Sequence, residues 1–99
     1  MSFVTIGIPT HNEENSIIDC LDSCLKQTRI PDEIIVVASG CTDNTVPRIK
    51  EFQLKNTSVK LIVEKNRNGK ISAINKILDR AKGEYLVHTD GDVILSTDV

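Results

Sequence analysis

Short apolar runs recur four times along the chain, at residues 3–8, 33–38, 59–64 and 84–88, each rich in Val and Ile and bounded by Gly, Pro, Asn or Asp. Interiors such as Ile34-Ile35-Val36-Val37 are continuous rather than alternating, which predicts strands buried on both faces of a sheet. Between the runs the spacing becomes helical. Ile17, Ile18, Leu21, Cys24 and Leu25 fall on one face, with Asn12 as the expected N-cap and Glu13 and Glu14 in the first turn. A second, more weakly amphipathic helix is predicted to start at Thr42 or Asp43, to carry Val46, Ile49, Lys50 and Phe52, and to end near 56–58. The third is marked by Ile71, Ile74, Ile77, Leu78 and Ala81, opened by Asn68-Gly69 and closed by Gly83. The order βαβαβαβ predicts an α/β fold: an open, mainly parallel twisted sheet with helices on both faces. No linker or repeat interrupts residues 1–99, which read as one domain. The chain reaches Val99 with no further element after Asp90-Gly91-Asp92, so this domain is expected to belong to a longer one.

Composition narrows the partners. With 39% apolar and 26% charged residues the chain is globular rather than disordered. Aromatics are 3%, Phe3, Phe52 and Tyr85, too few to stack single-stranded nucleic acid, and twelve basic against fourteen acidic residues leave no excess to hold a duplex. Nucleic acid is therefore not an expected partner. Cys20, Cys24 and Cys41 are odd in number and lack a C-x-x-C pair, which points to a reducing compartment and to buried packing for the first two. No apolar run is long enough for a membrane span and the first residues form no signal peptide, so a cytoplasmic location is expected.

Each predicted strand ends in a polar cluster, and in open parallel sheets ligands bind outside the carboxyl ends of the strands. The four clusters are residues 9–14, 39–45, 65–70 and 90–92, and all should share one rim. Asp90 and Asp92, spaced two apart around Gly91, are suited to one Mg²⁺ or Mn²⁺ if the backbone turns there. Asp-Gly-Asp is equally a turn sequence, and only its place at the end of a buried strand favours a ligand role. Lys65, Arg67 and Lys70 flank Asn68-Gly69 before a helix, where diphosphate oxygens would be welcome; a solvated basic loop is the competing reading. Pro9 sets the backbone leaving the first strand, so Thr10 and His11 can face a base or ribose, while Glu13, Glu14 and Asp43 read first as helix-end residues. His88 reads as a semi-buried strand residue.

These segments in register resemble the family-2 glycosyltransferases of the GT-A fold: residues 4–14, 31–37 and 40–45, then Asn68-Gly69-Lys70 with Ala73 and Asn75, then 81–85 leading to Asp90-Gly91-Asp92. The resemblance covers essentially the whole chain and implies the Rossmann-like donor half of such an enzyme. Its ligand would be a nucleotide-diphospho-sugar with a divalent metal, Mg²⁺ or Mn²⁺. Asp92 would hold the metal, Asp90 the ribose or the metal's water shell, Pro9, Thr10 and Asn12 the nucleoside, and Lys70 the diphosphate. The implied chemistry is inverting transfer of the sugar to a hydroxyl of a glycan, lipid or protein acceptor, with the catalytic base expected beyond residue 99 and little activity in this segment alone. Many members carry an acidic pair, one of which reads the base, where this chain has Ala38-Ser39. Ser39 can donate or accept a hydrogen bond but is not a carboxylate, so a nucleotide other than a uridine one stays open.

Two other classes compete. A receiver-like regulatory module could use Asp90 and Asp92 for Mg²⁺, although its acidic pocket would need carboxylates where the second run ends in Ala38-Ser39. A dinucleotide site fails at the first loop, which has no G-x-G-x-x-G. Apolar surface left uncovered beyond the fourth strand would favour self-association into a homo-oligomer.

Overall fold

A computed structural model describes residues 4–27, 30–66, 69–81 and 85–88, with backbone alone for Lys70 and residues 85–88. Among these residues the elements run β1 (Val4–Thr10), α1 (Ile17–Leu25), β2 (Glu33–Ser39), α2 (Thr45–Gln53), β3 (Val59–Glu64), α3 (Lys70–Arg80) and β4 (Tyr85–His88). The sheet order is β3-β2-β1-β4 and every pairing is parallel. That order matches the first half of the doubly wound dinucleotide-type sheet and differs from the 2-1-3-4-5 order of receiver-like modules, which removes the signalling alternative.

Strand β2 shows why the sheet is covered twice. All seven of its residues are buried. Ile34 and Val36 pack with Ile6 and Ile8 of β1, Ile17, Leu21 and Cys24 of α1 and Ile49 of α2, whereas Ile35 and Val37 meet Ala73 and Ile77 of α3 on the other face. Period-two side chains thus feed two cores. Moving β1 to β2 to β3 in one direction puts α1 and α2 on one face, and the return to β4 beyond β1 puts α3 on the opposite face, as right-handed crossovers require.

Three expectations shift. Strand β3 is an edge strand and only partly covered, with Lys60 and Val63 exposed. The face of α3 is rotated from the one predicted: Ala73 and Ile77 are buried, while Ile71 is 77% and Leu78 53% exposed. The small Ala73 side chain lets that side of the helix approach β2. Strand β1 continues two residues past its apolar run, with Pro9 paired to Val37 and Thr10 to Ala38. Among the described residues the pairing with β4 runs from Val4 to Gly7.

At the amino end of the sheet Glu33 is fully buried, accepting from Thr5 Oγ1 at 2.7 Å and from Lys60 Nζ at 2.8 Å. One carboxylate thereby staples β1, β2 and β3. Cys20 and Cys24 are buried on α1, as their helical spacing predicts, and neither forms a disulfide. No helix among the described residues is long and apolar enough to cross a membrane.

Candidate functional site

Parallel strands bring all their carboxyl ends to one edge. The connection leaving β1 runs through α1 toward β2, while β4 lies on the other side of β1, so the ends of β1 and β4 form the topological switch point at which such sheets open a crevice. Pro9 and Thr10 close β1, Ser39 closes the neighbouring β2, and Lys70 opens α3. These four predicted residues therefore occupy one end of the sheet.

Asn12 is there too, in a role the sequence did not announce. It is not the N-cap of α1, which starts at Ile17 after Ser16. Its backbone is left-handed, φ 49°, a region that Asn enters more readily than most residues. From there Asn12 Oδ1 accepts the N–H of Thr42 at 2.7 Å and that of Asp43 at 3.3 Å, and Nδ2 donates to Thr42 Oγ1 at 3.2 Å. The side chain that would cap a helix instead ties the loop after β1 to the loop after β2.

Other bonds reinforce the tie. Glu13 accepts from Thr10 Oγ1 at 2.9 Å and from the His11 N–H at 3.3 Å, while its own N–H donates to Thr45 Oγ1 at 2.9 Å. Glu13 and Glu14 thus serve the loops rather than the first turn of α1, where the acidic residue is Asp19. His11 Nδ1 lies 2.7 Å from the Ser39 carbonyl. A carbonyl only accepts, so Nδ1 carries a proton.

Asp43, expected as a helix cap, lies one residue before the N-cap of α2, Asn44, and binds the first helical residue instead. Its Oδ1 accepts the Thr45 N–H at 3.0 Å and the Thr45 hydroxyl at 2.5 Å, and Oδ2 accepts the Glu14 N–H at 3.3 Å. Desolvation raises the carboxyl pKa, but these hydrogen bonds outweigh it and hold the group below its ordinary value. A depressed folded-state pKa contributes stability that is fully present above the unfolded value, about 3.9, and lost as pH falls through the folded one. Asp43→Asn should therefore unfold at lower urea than the parent at about pH 6, with the gap narrowing below about pH 4. An unchanged gap at low pH would remove the charge of Asp43 from the account.

Beneath this rim lies a residue that sequence reasoning missed. Ser39 and Glu64 are register partners on β2 and β3, and the Ser39 hydroxyl donates a short hydrogen bond to Glu64 Oε1. Glu64 Oε2 takes Ser72 Oγ at 3.1 Å and Lys76 Nζ at 2.5 Å, both from α3. Its two-residue offset from Ile62, a half-buried residue packed against the core under α3, was the available signal, since both must face α3.

Gly69 precedes α3 at φ 89°, and a Cβ there would meet nothing within 4 Å, so conformation rather than space calls for glycine. Lys65 is exposed in the same loop, and Arg67 lies outside the described residues. Asp90 and Asp92 also lie outside them. Among the described residues no group of three or more His, Cys, Asp or Glu could hold a metal ion; the rim carboxylates of Glu13, Glu14 and Asp43 are spent on loop hydrogen bonds.

The same architecture recurs in solved proteins. The mannosyltransferase PcManGT from Pyrobaculum calidifontis, in complex with GDP-Man and Mn²⁺, superposes with a TM-score of 0.84 at 34% identity, over 92% of this chain and 28% of that one. TarS 1-349 from S. aureus, in complex with UDP, gives a TM-score of 0.85 at 26% identity, over 97% and 29%. Glycosyltransferase GlyG of Streptococcus pneumoniae serotype 4 is 30% identical over 97% of this chain and 32% of its own length. The chain spans 10% to 32% of the first curated relatives it matches. The model for "Glycosyl transferase family 2" matches residues 5–99, from the first strand through the Asp90-Gly91-Asp92 segment, and the chain belongs to that family.

Proposed function

We propose that residues 1–99 form the donor-binding part of a glycosyltransferase that takes a nucleotide-diphospho-sugar and passes the sugar, with inversion, to an acceptor hydroxyl. The observation that carries this reading is the knitted rim: Asn12 and His11 join the ends of β1 and β2 at the switch point, and Glu64 joins β2 to the first turns of α3. Such a rim is preorganised for a ligand that lies across several strand ends. GDP-Man and UDP in the neighbours share a diphosphate, which supports the same ligand class here.

In this reading Pro9, Thr10 and Asn12 lie along the nucleoside and Ser39 meets the base. The start of α3, with Lys70 as its first residue, receives the diphosphate, because free helix N–H groups favour an anion. Asp92 holds a divalent cation and Asp90 the ribose or the cation's water shell; when bound, the cation, Mn²⁺ or Mg²⁺, offsets charge on the departing diphosphate. The base that deprotonates the acceptor is assigned outside these residues, in keeping with relatives several times longer.

Thermal shift tests it. With Mn²⁺ present, UDP, GDP, CDP or dTDP should raise the unfolding midpoint, since a ligand at about 100 times its Kd stabilises the folded state by about 2.7 kcal/mol. A midpoint unmoved by all four would sink the donor-site reading.

A further inference from the structure

We propose that Glu64 fixes the Ser39 hydroxyl as a hydrogen-bond acceptor and so selects nucleotides whose base carries a ring N–H on its pairing edge, uracil, thymine or guanine, over cytosine and adenine. The inference rests on the donor-site reading, because it takes Ser39 to meet the base. Register pairing puts both side chains on the face of the sheet covered by α3, with Ser39 at the last position of β2. The Glu64 carboxylate is fully buried and holds the Lys76 ammonium at 2.5 Å and the Ser72 hydroxyl at 3.1 Å. Ion-paired in this way it is an acceptor only, so the proton of the short Ser39–Glu64 hydrogen bond belongs to Ser39.

A hydroxyl has one proton to give. Donated inward, it leaves only lone pairs for a ligand, and the anion behind makes them stronger acceptors. Uracil and thymine N3–H and guanine N1–H donate to such an oxygen. Cytosine N3 and adenine N1 bring a lone pair to a lone pair, leaving two polar atoms desolvated without a partner. Glu64 acts through Ser39 and is a positioning residue.

The test is nucleotide affinity in the intact natural chain with Mn²⁺ present, measured by calorimetry in size-matched pairs: UDP against CDP, and GDP against ADP. Whichever size of base binds, the N–H member is expected to bind about tenfold more tightly. In Glu64→Gln the amide can donate to Ser39 and turn its proton outward, so the ratio should fall toward one. Ser39→Ala should lower the ratio equally, and adding Glu64→Gln to Ser39→Ala should change it no further. Equal affinities within both pairs in the parent overturn the inference alone. A Glu64→Gln effect of the same size with and without the Ser39 hydroxyl also overturns it, leaving Glu64 a structural role. Failure of every nucleoside diphosphate to bind overturns the donor-site reading and the inference with it. If Glu64→Gln does not fold, the parent ratios and Ser39→Ala decide.

Discussion

Exchanging Asp92 for asparagine is expected to erase the Mn²⁺ dependence of nucleoside diphosphate binding and to slow sugar transfer by the intact enzyme at least about 100-fold. The substitution keeps size and shape but removes the negative charge with which a carboxylate holds a hard divalent cation. Charge growing on the leaving diphosphate would then be met by the basic loop and the start of α3 alone. A 100-fold loss is about 2.7 kcal/mol of transition-state stabilisation, within what one preorganised electrostatic partner supplies. Asp90→Asn should cost less, because a ribose or water contact survives in part with an amide. Calorimetric titration of UDP or GDP with and without Mn²⁺ decides the matter. An Asp92→Asn protein that keeps the parent's metal dependence would show that the assignment of the cation to Asp92 is wrong.

The second large effect concerns the sheet itself. Ile34 and Ile35 are neighbours in β2 and both fully buried, one in the core under α1 and α2, the other under α3. Ile34→Ala and Ile35→Ala should each cost about 2–5 kcal/mol, because each removes packed methyl groups and leaves a cavity on its own side. Against a typical domain stability of about 5–15 kcal/mol either loss is severe. A one-sided sheet would show the penalty at only one of the two positions. Denaturant unfolding of the pair separates the cases, and a cost below about 1 kcal/mol at either residue would refute burial on both faces.

Much of this architecture was legible in the chain. The Val-Ile run of β2, with no polar alternation, read as a strand covered on both faces, and the structure places β2 and β3 within a residue of the expected limits. What periodicity could not resolve was where polar side chains spend their hydrogen bonds. Asn12 has the composition of a cap, but its bonds go to a loop thirty residues away, and only tertiary pairing reveals that. The rotation of α3 was hidden for a related reason: Ile71 and Leu78 have the hydropathy of core residues, yet the small Ala73 lies on the side that touches the sheet.

The rim was legible as a set of clusters and illegible as a network. Pro9, Thr10, Ser39 and Lys70 were placed at this edge by strand ends and a helix start, which follow from pattern, whereas Asn12 was read as a cap. Ala38-Ser39 read as the loss of an acidic pair. In the fold a carboxylate stands one strand over, at Glu64, within hydrogen-bonding reach of Ser39. Register between β2 and β3 creates that neighbour, and register is not written in either strand alone.

The strand order has a consequence for a nascent chain leaving the ribosome. The β1-α1-β2-α2-β3 segment can assemble from successive crossovers, each closing a short stretch of polypeptide, before β4 has been made. Val4 and Tyr85 are about 80 residues apart in sequence, yet with β1 to β3 in place their pairing closes only the crossover between Glu64 and Tyr85. Among the described strands β4 is thus the last to join the sheet during synthesis, and the junction of β1 and β4 closes only then. A translation arrest before Tyr85 would yield a partly formed sheet with the flank of β1 still open to another molecule's strand.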